Sequence, residues 1–311
     1  MGRCAALLAC TEMAHSPNIS GLQGGKVLNL GCLSIQSRLR FLFPDLGSGG
    51  AKETMRVITF NTQGIEQAAD KGFFDWMVNQ DADVVCLQNL KAREYQLDGD
   101  RYHPEGYHAY FFDAFEDGYS GVAIYTRHLP KAIMTGLGFE ACDYQGRFIQ
   151  ADFDKVSVSS MTIPSGLRSP EAQAAKMEYL EHFQAHLKKT LRKRRDFIFA
   201  GTFNIAHKTV DLSNWYVNQK VSGFLKEERE WMEEVLGEMG YVDAFREVNK
   251  AERQYSWWPE YNRAWTLNEG ARLDYQITTA NLRKSVKSAR VDRDNRFSEH
   301  CPLIIDYALD L

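Results

Sequence analysis

Arg56-Val57-Ile58-Thr59-Phe60-Asn61-Thr62-Gln63-Gly64 decides the fold class. A run rich in β-branched and aromatic residues that stops at Asn and Gly is a strand entering a turn. Working outward, comparable runs fall at Asp83–Gln88, Ala109–Phe115, Val122–Thr126, Ile149–Phe153 and Val156–Ile163. Others follow at Asp196–Gly201, Tyr255–Trp258, Leu273–Thr279 and Leu303–Ala308. Three helices interrupt them. One runs from Ile65 to Gln80. A long one opens at Ser169-Pro170, with Met177, Leu180, Phe183, Leu187 and Leu191 on one face. The third, Lys226 to Met239, carries Met232, Val235, Leu236 and Met239 at helical spacing. Many strands with few helices, and no strict βαβ alternation, predict an α/β (α+β) fold. Its form is a four-layer α-β-β-α sandwich, two mixed sheets packed face to face with helices outside.

The body from residue 55 to 311 contains no linker or repeat and reads as one domain. Residues 1–54 have no clear period and carry two glycine clusters, Gly24-Gly25 and Gly47-Ser48-Gly49-Gly50. They read as a non-native or disordered extension, with Met55 the expected start. The apolar run Ala5 to Ala9 is too short, with only Arg3 before it, to make a good secretory signal. No run approaches the ~18 apolar residues of a membrane span. The chain has a formal net charge of −4. The extension holds five Lys/Arg against three Asp/Glu, a net of +2, which leaves −6 for the body. An acidic body weighs against strong non-specific nucleic-acid binding, although a local basic groove is compatible with it. Cys86, Cys142 and Cys301 have no metal-type spacing, and Cys86 and Cys301 adjoin apolar strands. That fits buried thiols in a reducing, cytoplasmic compartment. The run Lys188 to Arg195 is either a solvated helix end favourable to the dipole or a docking site for RNA or an acidic partner.

Five stretches fall in one order along the body. They are Phe60-Asn61-Thr62-Gln63-Gly64, Leu87-Gln88-Asn89, Ile198 to Asn204, Arg272-Leu273-Asp274-Tyr275 and Ser298-Glu299-His300-Cys301-Pro302. Glu227 to Met232 and Tyr255-Ser256-Trp257-Trp258 lie between them. Together they resemble the exonuclease III and abasic-site endonuclease family across residues 55–311. The resemblance implies a Mg²⁺-dependent phosphodiesterase cleft between two sheets. It implies that Asn61 and position 89 support the metal, that position 202 and Asn204 orient water, and that Asp274 lines the site. It places His300 at the phosphate, oriented by position 299.

Departures from the family pattern fall on the acidic positions. Asn89 stands where the family has Glu, Thr202 where it has Asp, and Thr162 where it has a catalytic Tyr. Glu299-His300 replaces Asp-His. Losing a general base alone costs on the order of 10²- to 10⁴-fold. The expectation is therefore a vestigial cleft of Asn61, Asn89, Thr162, Thr202, Asn204, Asp274, Glu299 and His300, with no cofactor and no metal. If any metal bound, Asp274 and Glu299 would be its ligands. Three further stretches, Thr135 to Glu140, Ala151 to Ser157 and Gly240 to Ala244, resemble a non-catalytic group within the family, the catabolite repression control proteins. That resemblance implies a translational repressor acting with the RNA chaperone Hfq on A-rich mRNA, with weak or no intrinsic nucleic-acid binding. The alternative is a Mg²⁺- or Mn²⁺-dependent nuclease or phosphodiesterase using Asp274, Glu299 and His300, and a third reading is a self-associating scaffold.

Overall fold

Alternate residues of the first strand, β1 (Met55–Asn61), enter two different cores: Val57 one, Ile58 and Phe60 the other. The same split recurs in β2 (Val84–Gln88), with Val84 and Cys86 against Val85 and Leu87. A strand apolar on both faces must be covered on both, and this requirement generates the layers. The computed structural model describes residues 54–260 and 263–311. The expectation for the 1–54 extension falls, but for Thr54, outside the described residues.

Ten further strands complete two six-stranded mixed sheets. They are β3 (His108–Phe112), β4 (Val122–Thr126), β5 (Ala132–Thr135), β6 (Phe148–Asp152), β7 (Val156–Thr162) and β8 (Asp196–Thr202), then β9 (Val242–Asp243), β10 (Asp274–Thr278), β11 (Val286–Val291) and β12 (Leu303–Tyr307). The first sheet has the order β11-β12-β1-β2-β4-β3 and the second β5-β6-β7-β8-β10-β9. Within each sheet one central pair is parallel, β1 with β2 and β7 with β8, and the other pairings are antiparallel.

The inner core joins Val57, Cys86 and Ile124 of the first sheet to Ile149, Val158 and Ile198 of the second. Outside the first sheet lie α1 (Ile65–Asp70) and α2 (Phe73–Val78), which bury Ile65, Ala68, Phe73 and Met77. Outside the second, after the short α3 (Glu140–Asp143), lie α4 (Pro170–Thr190) and α5 (Lys226–Glu233). They cover Phe197 and Phe199 with Leu180, Phe183, Leu187, Trp231 and Met232. Phe183 is fully buried, so truncating it to Ala costs about 3–5 kcal/mol. Two short helices, α6 (Ala244–Val248) and α7 (Ala264–Leu267), finish the set. The four-layer sandwich expected from the sequence is the observed fold.

Local rules hold at α4. Ser169 Oγ accepts from Ala172 N at 3.2 Å and Pro170 occupies the first turn. Two expectations need correction. Ile65 to Gln80 is not one helix, because Gly72 adopts φ +84° and divides it into α1 and α2. Tyr255–Trp258 is not a ladder strand, since Trp257 makes only isolated bridges to Ala271 and His300. The charged run at the end of α4 is held at its two ends, where Lys188 pairs with Glu234 and Arg195 donates to Phe153 O and Ser157 Oγ, and Lys189, Arg192 and Arg194 between them are exposed.

Polar bonds cross the inner core. Gln88 Nε2 donates to Ser160 Oγ at 2.9 Å, Ser160 Oγ donates to Leu87 O at 2.8 Å, and Gln276 Nε2 donates to Val57 O at 3.0 Å. A buried donor left without a partner costs about 1–3 kcal/mol, so these bonds fix how one sheet sits on the other. At Gly201 a Cβ would stand 1.9 Å from Met161 O, so β7 and β8 approach as closely as they do only because that residue is glycine.

Candidate active site

Asn61, Asn89, Thr162 and Thr202 stand at or just beyond the carboxyl ends of β1, β2, β7 and β8. Parallel pairing within each sheet puts those ends side by side, and the inter-sheet bonds bring the two sets to one edge. Asp274 opens β10 directly opposite Thr202. His300 arrives on the loop before β12, where Ser298 Oγ donates to Asn61 O at 2.7 Å. Asn89 and Asn204 both adopt left-handed backbone, at φ +52° and +55°, a conformation that asparagine tolerates.

These side chains form one connected chain. Asn89 Nδ2 donates to Asn61 Oδ1 at 3.1 Å, and Asn61 Nδ2 donates to Thr202 Oγ1 at 3.0 Å. Thr202 Oγ1 donates to Asp274 Oδ1 at 2.5 Å. His300 Nδ1 lies 2.7 Å from Asp274 Oδ2, which can only accept, so Nδ1 carries the proton and Nε2 is left over. Asp274 is itself held by Ser256, whose Oγ accepts from Leu273 N and Asp274 N. Asn61, Asn89, Thr162, Asn204, Glu299 and His300 line a cavity of 980 Å³, with Thr202 and Asp274 behind its wall. Asn204 Nδ2 donates to Ile163 O, whereas the Thr162 side chain joins no part of the Asn89-to-His300 chain.

One assignment is corrected here. The carboxylate orienting His300 is not that of the neighbouring Glu299. It is Asp274, 26 residues away, while Glu299 Oε2 accepts from Gln63 Nε2 at 2.7 Å and Trp257 Nε1 at 3.2 Å. The carboxylate that meets His300 comes from the start of β10, so adjacency in sequence is the wrong guide.

The cavity also contains cations that no motif marked. Arg147 is 5% exposed and lines it. Its guanidinium donates to Gln145 Oε1 at 2.5 Å and Tyr119 OH at 2.8 Å, and it forms no ion pair among the described residues. Lys91 and Arg168 line the same cavity. Two buried ionic assemblies support its walls. Lys176 Nζ reaches Glu228 Oε1 at 2.6 Å and Asn204 O at 2.8 Å; burial pushes its pKa down against the pull of Glu228. Burial would raise the Asp211 carboxyl, but Arg272 and Arg246 hold it well below the usual carboxylate range.

The donors do not fit a resident hard dication. Mg²⁺ is usually held through one or two carboxylates, with near-octahedral oxygen geometry. Both Asp274 oxygens are committed, to Thr202 and His300, and Asn61 Oδ1 already accepts from Asn89 Nδ2 and Gln63 N. Asp274 and Glu299, the ligand pair expected from the sequence, have separate partners. Among the described residues no three His, Cys, Asp or Glu side chains gather as a metal set.

Two six-stranded mixed sheets thus enclose a polar cleft beside a buried Asp274–His300 pair. The chain belongs to the Endonuclease/Exonuclease/phosphatase family, whose model matches residues 58–300. It is 33% identical over 251 residues to an exodeoxyribonuclease of Bacillus subtilis, covering 80% of this chain and 98% of that one. It is 33% identical over 253 residues to a DNA-(apurinic or apyrimidinic site) endonuclease of Dictyostelium discoideum, covering 80% and 69%. In fold it matches an AP endonuclease from Archaeoglobus fulgidus with a TM-score of 0.76 at 24% identity, covering 82% of this chain and 100% of that one.

These relatives overturn the expectation of a non-catalytic translational repressor and, with it, the pseudoenzyme and catabolite-repression assignments. Relatives matched over nearly their whole length are named as nucleases. Asn89 and Thr202, expected as marks of a lost site, are joined with Asn61 and Asp274 in one hydrogen-bonded chain. Among the described residues no helix is long and apolar enough to cross a membrane.

Proposed function

We propose that this chain is a nuclease-type phosphodiesterase acting on DNA, the alternative recognised in the sequence. The observation that carries this reading is the 2.7 Å Asp274–His300 pair beside a 980 Å³ cavity that also holds Arg147 and Lys91. Its chemistry follows from a nucleophile's need for a base oriented by a third group. A water at the scissile phosphate gives its proton to His300 Nε2, and Asp274 stabilises the imidazolium through Nδ1–H. The water oxygen forms the new P–O bond, the bond to the leaving oxygen on the opposite side of phosphorus breaks, that oxygen takes a proton from solvent, and the imidazolium gives its proton to solvent. Arg147 and Lys91 supply positive charge for the phosphoryl oxygens. The narrower likeness to the catabolite repression control proteins rests on sequence stretches alone and adds no activity to this reading.

The test is cleavage of an abasic-site duplex and of a 3′-recessed duplex by the full chain, with Mg²⁺, with Mn²⁺ and with EDTA. The expected result is slow cleavage, on the order of 10²- to 10⁴-fold below a relative with acidic residues at positions 89 and 202. It should disappear in His300→Ala and in Asp274→Asn. Absence of cleavage in every condition, or cleavage indifferent to both substitutions, would overturn the proposal.

A further inference from the structure

In the segment just before His300, two arginines rest on tryptophan rings. Arg293 Cζ lies 5.0 Å from the ring centroids of both Trp258 and Trp265, and Arg296 Cζ lies 4.8 Å from that of Trp265. The two indoles meet edge to face at 4.6 Å. Trp258 is fully buried and donates Nε1–H to Asn268 Oδ1 at 3.0 Å, so the base of the stack is fixed. Arg293 Nη2 makes one 3.4 Å contact, to Trp265 O.

Neither arginine forms an ion pair among the described residues, although acidic side chains are near. The Asp292 carboxylate is already taken by Trp76 Nε1, Asn295 Nδ2 and Arg290. The exposed Arg283, before β11, and Arg290, within it, by contrast both pair with carboxylates. A guanidinium lying against an indole face gains cation–π attraction and keeps its N–H edges outward. That planar fork matches the oxygens of a phosphate, and holding it in place beforehand lowers the entropy lost on binding.

The stack is joined to the site. Trp258 N donates to Glu299 O at 3.1 Å, next to His300, and Ala264 of the cavity wall precedes Trp265. Trp258 is packed beneath and Trp265 is half-buried, whereas Arg293 and Arg296 are exposed, so the guanidinium edges are the outermost groups of the stack. We infer that Arg293 and Arg296, stacked on Trp258 and Trp265, form a phosphate clamp for the DNA strand that leaves the cleft. It grips the sugar-phosphate backbone without regard to base sequence. This rests on the phosphodiesterase reading and names the strand-holding surface of that same site.

The experiment measures binding, not turnover. Fluorescence anisotropy follows the full chain binding a labelled abasic-site duplex in EDTA between 50 and 200 mM salt. Each phosphate contact contributes about 0.9 to the slope of log K against log salt. The Arg293→Gln/Arg296→Gln pair should flatten that slope by about 1.8, with an unchanged thermal melt. Arg293→Lys/Arg296→Lys should retain most of the slope, because the charges remain. A slope unchanged in the Gln pair, or no detectable DNA binding by the parent chain, overturns the inference. Because EDTA and duplex binding need no cleavage, a flattened slope upholds the clamp even if hydrolysis fails. Cleavage lost in His300→Ala with an unflattened slope sinks the clamp alone.

Discussion

Thr202→Asp places a second carboxylate where a hydroxyl now donates to Asp274 Oδ1 at 2.5 Å, in a wall that is fully buried. Two effects follow. The donor to Asp274 is lost, and like charges within about 3 Å cannot both ionise. Neither the neutral Asn61 nor Asn89 offsets the added charge. An uncompensated buried charge costs about 3–5 kcal/mol, and a drop of that size is expected without added metal. The same substitution, combined with Asn89→Glu, supplies the carboxylates that a hard dication needs. Ligand at 100 times its dissociation constant restores about 2.7 kcal/mol, so roughly half or more of the loss should return with Mg²⁺ or Mn²⁺. Thermal unfolding of parent and double variant, each in EDTA and in graded Mg²⁺, measures both quantities. The parent midpoint should move little with Mg²⁺, and the variant midpoint should climb. A double variant that melts with the parent and ignores Mg²⁺ would refute the account of the Asn89-to-Asp274 chain as a neutral rewiring of a metal site.

Two further outcomes follow from buried charge. Lys176→Met leaves Glu228 still accepting from Gly223 N and Leu225 N but without its cation, and removes the donor to Asn204 O. A loss of about 3–5 kcal/mol is expected in urea unfolding, with part recovered when Glu228→Gln is added; a loss below about 1 kcal/mol would show that the pair holds nothing in place. Burial first, then Lys193 and Lys189, depress the pKa of His186 to about 4, so the folded ring stays neutral while the unfolded one protonates near its usual 6.5. The unfolded state thus binds the extra proton between those values. Stability should be unaffected above about pH 6.5 and fall as pH drops toward 4, and His186→Phe should flatten this dependence in melts taken across that window.

The parts of the fold legible in sequence were those with apolar residues on both strand faces. β1, β2, β4, β7 and β8 are almost wholly buried, and their runs of Val, Ile and Phe announced them. β5 and β11 went unread because they are sheet edges whose residues are mostly exposed or half-buried, so no alternating signal survives. β9, two residues long, has no pattern to read. In the site, the polar residues at strand ends were legible one by one. Their connections were not: the Asp274–His300 and Asn61–Thr202 bonds link separations of 26 and 141 residues. Arg147 left no mark because a single arginine at a strand entrance resembles any other until its burial and missing carboxylate are seen. Two absent carboxylates are visible in the sequence, whereas the meeting of His300 with Asp274 is not, because it depends on how the loop before β12 lies against β10.

The pairing of β1 with β12 has a consequence for the newly made chain. The first strand remains a sheet edge until the last one emerges, when Met55 aligns with Tyr307. His300 lies just ahead of that last strand. A polypeptide still being synthesised, or cut short before residue 298, has Asp274 but no imidazole for it. It also exposes the unpaired edge of β1, a template for association with other chains. The Asp274–His300 pair and the cover over the β1 edge therefore form together, once residues 300–307 have been made.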